Sequence, residues 1–346
     1  MPSESREPLE KVLSMYNIKV LGIRNESYKD KKGVWWIQTP EGHKILKKVS
    51  SSEDTLKYTL SAVEHLMHNG INIPAVIKTV DARPYVNIDG SCYTLSQAIE
   101  GRNPSYSIPQ QLKAVVKELA KFHKASIGFS PPSCCKPKMH LGTWIEDYGR
   151  QLEDMGSFYK TKLLSGPRDE SGSFIADEFP SFSFRAERSI NGLKGSEYRD
   201  WTEKTRSLGG LCHQDFAAGN LFLSGSGKVY VIDTDSITMD IPARDIRKLL
   251  NKVMKKKGKW DASLTADILR YYQSENPLTL SQWQVVKLDI MFPHLFLGAM
   301  NKYCYKREKD WTGENYLKRL RDVTSIEKTI NPILEGFDSL VPKSSL

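Results

Sequence analysis

The sequence predicts an α+β chain of two lobes, a small β-rich N-terminal lobe followed by a larger helical one. Three observations predict it. Through the first hundred residues, short apolar stretches of strand period alternate with turn residues, with one helical insert. From about residue 100 the apolar residues recur every three or four positions instead. Inside that helical half lies one isolated hairpin, Asn220 to Leu223 and Lys228 to Asp235 around Ser224-Gly225-Ser226-Gly227.

Taken in order, residues 9–16 form a short helix and Ile18 to Ile23 a strand. Val34 to Gln38 and His43 to Val49 form a hairpin around Pro40-Glu41-Gly42. The inserted helix follows, with Ser51 or Ser52 as N-cap and Glu53 and Asp54 in its first turn, where the helix dipole favours acid. Leu56, Leu60, Val63 and Met67 give it an apolar stripe, and Gly70 ends it. Pro84 to Ile88 and Ser91 to Gln97 flank Asp89-Gly90, a two-residue hairpin signal. Pro109 opens a helix on which Leu112, Val115, Leu119 and Phe122 share a face. Trp144 to Tyr159 reads as another. Gly166 to Gly172 is a polar loop, and residues 174–206 are helical with weak patterning. Residues 243–254, 261–274, 279–303 and 312–334 complete the helices, and the tail after Asp338 is expected to fray. The lobes are placed at 1–99 and 100–346.

Bulk properties exclude several classes. The 346 residues suffice for two lobes, each with a core. Hydrophobic content of 39% and a mean hydropathy of −0.46 are those of a soluble globular chain, and no window approaches the ~20 apolar residues of a membrane span. No apolar stretch follows Met1 to Glu7, so no signal peptide is expected. Five scattered cysteines without C-x-x-C spacing fit reduced thiols. The net charge of +9 comes partly from Lys252, Lys255, Lys256, Lys257 and Lys259, read as a solvated helix face and loop. Nothing in the chain carries a nucleic-acid motif.

The chemistry is concentrated in HQDFAAGN, residues 213–220, and KVYVIDTD, residues 228–235. The first sets the carboxylate of Asp215 five residues before the amide of Asn220. The second is an alternating strand ending on Asp233, with Asp235 beyond. Phosphoryl transfer from ATP needs these parts. One carboxylate orients and deprotonates an attacking hydroxyl, while an amide and a second carboxylate hold the Mg²⁺ ions that neutralise the triphosphate. The bland alternative is that Asp215 and Asn220 merely cap a turn. The paired strand ending in Asp argues against it.

With these motifs in place, the chain resembles the CotS-type spore-coat proteins of the aminoglycoside phosphotransferase and choline kinase-like superfamily, over nearly its whole length. The resemblance implies a bilobal protein-kinase-like fold with nucleotide in a cleft between the lobes. It implies Asp215 as catalytic base, with Asn220 and Asp233 as Mg²⁺ ligands and Asp235 as an accessory carboxylate. It places a phosphate-pairing lysine at Lys47, with Lys48 as the alternative. Strand alternation sends the two to opposite faces, so only one can enter the cleft. Glu64, on the helix that follows, is the expected carboxylate partner of that lysine. Leu95 to Gly101 resembles the family hinge, so the backbone of Gln97, Ala98 and Ile99 is expected against adenine.

Two departures stand out. Gln214 occupies a position where the family commonly has Gly, and Asn25-Glu26-Ser27-Tyr28 replaces a glycine-rich loop, leaving phosphate contacts there to a hydroxyl or backbone N–H. The absence of D-F-G and A-P-E argues against an ordinary protein kinase. Asp245, in Pro242 to Arg247, resembles a residue that braces the catalytic loop, and His213 is expected to support that loop without taking the proton. Trp35-Trp36 reads as sheet packing.

The functional expectation is an ATP- and Mg²⁺-dependent kinase acting on the hydroxyl of an unidentified, small-molecule acceptor. The setting implied is the mother-cell cytoplasm with assembly into the spore coat, and other coat proteins as partners, without nucleic acid or membrane insertion. The alternative is a coat structural protein on a kinase-like scaffold that binds nucleotide with little catalysis. A kinase acting on coat-protein side chains is a third reading. The full set of Lys47, Glu64, Asp215, Asn220 and Asp233 favours the enzyme, because a scaffold does not need it.

Overall fold

The computed structural model describes residues 7–26, 33–166 and 168–342. Ser27 and Tyr28 of the expected phosphate-contacting turn lie outside them, as do residues 343–346 of the tail.

The chain begins with helix α1 (Leu9–Leu13) and strands β1 (Gly22–Asn25), β2 (Val34–Thr39) and β3 (Gly42–Val49). Helix α2 (Glu53–His68) follows, then β4 (Val86–Ile88) and β5 (Ser91–Gln97). Ser52 is the α2 N-cap, its hydroxyl accepting from Thr55 N–H. Asp89 and Gly90 both take positive φ, 49° and 82°, the backbone that a two-residue hairpin turn requires. The first strand sits later than its apolar run, because pairing with β2 (Gly22 opposite Gln38, Asn25 opposite Trp35) decides where the ladder starts.

Next come α3 (Pro109–Ser126), α4 (Trp144–Phe158), α5 (Glu170–Lys194) and α6 (Tyr198–Leu208). The loop expected to reach Gly172 ends earlier, since the Asp169 carboxylate caps α5 by accepting from Gly172 N–H at 2.7 Å. The buried face of α5 includes Ser171, Gly172, Ala186 and Ser189 beside its large apolar residues, which explains the weak apolar patterning of that stretch; Pro180 also lies inside the helix. Strands β6 (Leu211–Cys212), β7 (Leu221–Leu223), β8 (Val229–Val231) and β9 (Thr238–Met239) are short. Helices α7 (Ala243–Lys257), α8 (Ala262–Gln273), α9 (Leu280–Met291), α10 (His294–Cys304), α11 (Gly313–Lys328), α12 (Asn331–Glu335) and α13 (Phe337–Leu340) complete the chain. The single helix expected over 279–303 is broken at Phe292-Pro293, where proline cannot continue it. The tail is ordered further than expected: α13 extends past Asp338, and Val341 is buried.

Two compact units emerge. The first comprises residues 1–104, 130–138 and 218–237, and the second residues 105–129, 139–217 and 238–346. In the first, the antiparallel sheet has the order β1-β2-β3-β5-β4. Its core joins Val12, Leu13 and Tyr16 to Trp35, Ile37, Leu46, Tyr93 and Leu95. Trp35 is thus a packing residue, as expected. The β7–β8 hairpin is held to this unit by a bridge between Arg102 and Leu223. Gly101 permits that approach, since a Cβ there would stand 2.8 Å from the Leu223 carbonyl oxygen.

The second unit is helical, with the small β6–β9 ladder inside it. Two buried acids there, Asp240 and Asp289, are each satisfied by several donors. Asp240 accepts from the Trp144 indole and from Arg244, and Asp289 accepts from Tyr148 at 2.6 Å and from Arg247 at 3.2 Å. His294, bonded to Asp289, is held by burial at a pKa of about 4. All five cysteines are free, and Cys212 is a buried β6 residue.

Candidate active site

The loop at 213–220 spans the boundary of the two units, which falls between Ala217 and Ala218.

In the first unit, β3 alternates. Leu46 enters the core, and Lys47 emerges on the opposite face, 22% exposed. Its Nζ meets two carboxylates, Asp233 Oδ1 at 2.9 Å and Asp235 Oδ2 at 2.7 Å. Burial works against the charge of Lys47, but these two acids outweigh it and raise its pKa. Lys48 points the other way, to Glu7 at 2.7 Å and over the Tyr93 ring. Alternation thus separates the two lysines as expected, and Lys47 is the one that meets the acids.

Asp233 follows β8 in a left-handed conformation, φ 55° and ψ 56°. Such backbone is uncommon outside glycine, and Asp is among the residues that tolerate it best. It turns the chain sharply, so that Asp233 and Asp235 both reach one ammonium. Lys138, which the sequence did not single out, donates to the Asp235 carbonyl at 2.5 Å and holds this turn from behind. Asn220 ends a short 3₁₀ turn, and its carbonyl accepts from Ile232 N–H at 3.0 Å, tying it to the strand that leads to Asp233. Asn103, also unanticipated, donates its amide to the carbonyls of Ala218 and Leu221 at 3.1 and 2.8 Å and so fixes the same turn.

Glu64 is not brought to Lys47. The buried stripe of α2 runs through Leu56, Thr59, Val63 and Leu66, and Glu64 lies off it, exposed. It lines a groove of about 670 Å³ with Lys57, Leu60, His68 and Tyr85. The expected partner is replaced by Asp233 and Asp235, which reach Lys47 from the turn after β8. At the expected hinge, Gln97 N–H donates to Ala75 and Ala98 N–H to His43. Ile99 N–H has no partner among the described residues, so it is the donor this segment has to offer.

In the second unit, Asp215 has a half-exposed side chain and forms an ion pair with Lys252 of α7. Its own N–H donates to His213 Nδ1 at 3.3 Å. His213 is fully buried, edge-on to Phe122 and Phe216, and serves the loop's shape. Gln214 takes φ 68°, backbone that glycine adopts most readily and that is uncommon for a residue with a Cβ. The bend is retained here at a cost on the order of 1 kcal/mol. Lys248 offsets it by donating to the Gln214 carbonyl at 2.7 Å and to its side-chain oxygen at 2.9 Å. Burial, aided by the charge of Arg247, lowers the pKa of Lys248 to about 8.

Beneath the loop, Asp245 accepts from His213 N–H at 2.6 Å and Gln214 N–H at 2.9 Å. His123 Nε2 stands 3.3 Å from the same carboxylate, and its other nitrogen meets Tyr272 OH at 2.8 Å. Burial opposes the Asp245 charge, but His123, His213 and Lys248 together lower its pKa. His123, Cys212 and Asp245 are close enough to suggest a metal site. However, the carboxylate is spent on the loop, and Cys212 Sγ donates to the Ile241 carbonyl at 3.1 Å. This cluster is a brace.

Known proteins match this chain over most of its length. Residues 13–337 match the family described as "Spore coat putative kinase YutH". The chain belongs to that family. It is 29% identical over 335 residues to Spore coat protein S of Bacillus subtilis (strain 168), covering 97% of this chain and 95% of that one. Among solved structures it resembles an aminoglycoside phosphotransferase from Alicyclobacillus acidocaldarius, with a TM-score of 0.79 at 18% identity, over 98% of this chain and 99% of the other. It also resembles the spectinomycin phosphotransferase APH(9)-Ia, solved with ADP and spectinomycin, at a TM-score of 0.61 and 15% identity over 99% and 100%. The fold is that of the aminoglycoside phosphotransferase-like kinases, as the motifs led us to expect. No helix among the described residues is long and apolar enough to cross a membrane.

Proposed function

We propose that this spore-coat-family protein is an ATP- and Mg²⁺-dependent phosphotransferase acting on a hydroxyl of a small-molecule acceptor. The observation that carries the reading is the convergence of Asp233 and Asp235 on Lys47. Two carboxylates and the neighbouring Asn220 form an all-oxygen donor set, the kind that suits Mg²⁺. Bound there, the ion would offset triphosphate charge. Lys47 would neutralise α- and β-phosphate oxygens, and Ile99 N–H with the carbonyls beside it would meet the adenine edge. Glu64 has no part in this reading.

Asp215 would orient the acceptor hydroxyl and take its proton, with Asp245 and Lys248 holding the loop to the required shape. The protein would act in the mother cell and assemble with other coat proteins. A second reading, a nucleotide-binding coat scaffold, is favoured by the name of the B. subtilis relative, a coat protein.

A screen of hydroxyl metabolites for transfer of the terminal phosphate of ATP, run with wild type and Asp215→Asn, separates them. The variant keeps the side chain's size but not its basicity, so turnover should fall by about 10²–10⁴-fold with nucleotide affinity unchanged. Wild-type turnover in Asp215→Asn would remove the assigned base. A wild type that transfers no phosphate would favour the scaffold.

A further inference from the structure

The phosphotransferase reading leaves the acceptor's chemistry open, and α7 bears on it. Lys248, Lys252 and Lys256 recur every four residues and so share one helix face. Lys248 holds Gln214, and Lys252 holds the Asp215 carboxylate. Lys256 has no partner among the described residues and lines a cavity of about 370 Å³ with Tyr106, Ser107, Leu112 and Tyr271. Other charges at this cavity are neutralised locally: Lys257 pairs with Asp261 at 3.1 Å, and Asp267 with Arg270 at 2.5 Å. The helix dipole accounts for lysines in the last turn of α7. It does not account for Lys252, which lies further in and is directed at the candidate base.

We infer that this lysine face is an anion subsite for the acceptor, which rests on the phosphotransferase reading. The acceptor is a hydroxyl compound that also carries an anionic group, phosphate or carboxylate. Lys256, and the N–H donors of Lys252 not spent on Asp215, receive that group at the mouth of the cavity. The hydroxyl then meets Asp215. Its oxygen bonds to the γ-phosphorus of ATP, its proton passes to the Asp215 carboxylate, and the bond from the γ-phosphorus to the β–γ bridging oxygen breaks to release ADP. The anionic group is unchanged by the reaction. A cationic acceptor would instead face Lys256, whose charge no acid among the described residues balances.

The test compares three hydroxyl probes of similar size, glycerol 3-phosphate, glycerol and the cation serinol. Their affinities are measured by ligand-observed NMR with ADP and Mg²⁺ present, and ADP binding is measured in the same samples. Glycerol 3-phosphate should bind at least about tenfold more tightly than the other two, and Lys256→Ala and Lys252→Ala should each remove most of that advantage. Equal or tighter binding of serinol, no binding of the phosphate probe, or an advantage that survives Lys256→Ala would each overturn the inference. Loss confined to Lys252→Ala would also overturn it, by assigning that lysine to the transferred phosphoryl group. ADP binding without an anion preference sinks this inference alone, whereas failure to bind ADP sinks the phosphotransferase reading.

Discussion

Asp233 and Asp235 in the first unit are each about a third exposed and share one lysine, whereas Asp245 in the second is fully buried and accepts two backbone N–H groups. The first pair has a cation it can release to solvent or exchange for another, and its backbone is strained at Asp233. The second has nothing to exchange, since its bonds tie the 213–220 loop to the buried His123. Exposed, mutually balanced charges suit a site that takes up a charged ligand. Buried, fully bonded charges suit a part that must not move.

Stability should divide along this line. Asp245→Ala leaves two buried N–H groups and His123 without their acceptor, and should cost about 3–5 kcal/mol in denaturant unfolding. Asp233→Asn keeps a residue that tolerates left-handed backbone and removes only a partly solvated ion pair, so about 1 kcal/mol or less is expected. Similar losses in the two variants would break the comparison.

Glu118 sharpens it. This buried α3 acid has no strong partner, and burial pushes its pKa up to about 7. The folded carboxyl keeps its proton to about pH 7, the unfolded one only to its ordinary 4.5. The folded state therefore binds more protons between these values, and stability falls as pH rises through that window. Glu118→Gln does not titrate, so its stability relative to wild type should climb by on the order of 3 kcal/mol between pH 4.5 and pH 7.5. A difference that stays flat with pH would show that Glu118 is paired or solvated after all.

How much of this was legible in the sequence follows from distance along the chain. The Asp89-Gly90 turn, the Ser52 cap and the loop from His213 to Asn220 are local signals, and each fell where the residues placed it. The break at Pro293 is also a local signal, but the apolar pattern runs on through it and hides it. Partners brought from afar left no local mark. Lys252 reaches Asp215 across 37 positions, Lys138 reaches Asp235 across 97, and Asn103 reaches Ala218 across 115. The basic run is the expected solvated face at Lys255, Lys256, Lys257 and Lys259, all exposed, whereas the spacing of Lys252 four residues from Lys248 is the one local clue that it faces Asp215. Glu64 has both causes: helix phase, a local signal, places it off the buried stripe, and two acids from a distant turn take Lys47.

The most direct test of the central claim is calorimetric titration of wild type and Asp233→Asn with ATP plus Mg²⁺ and, separately, with adenosine. Wild type should bind both. Asp233→Asn should weaken ATP binding in Mg²⁺ by at least about tenfold, the ~1.4 kcal/mol scale of a lost charge-assisted contact, and leave adenosine nearly unchanged. No binding of millimolar ATP with Mg²⁺ to the wild type would contradict the account, and so would equal affinities of wild type and variant for ATP with Mg²⁺.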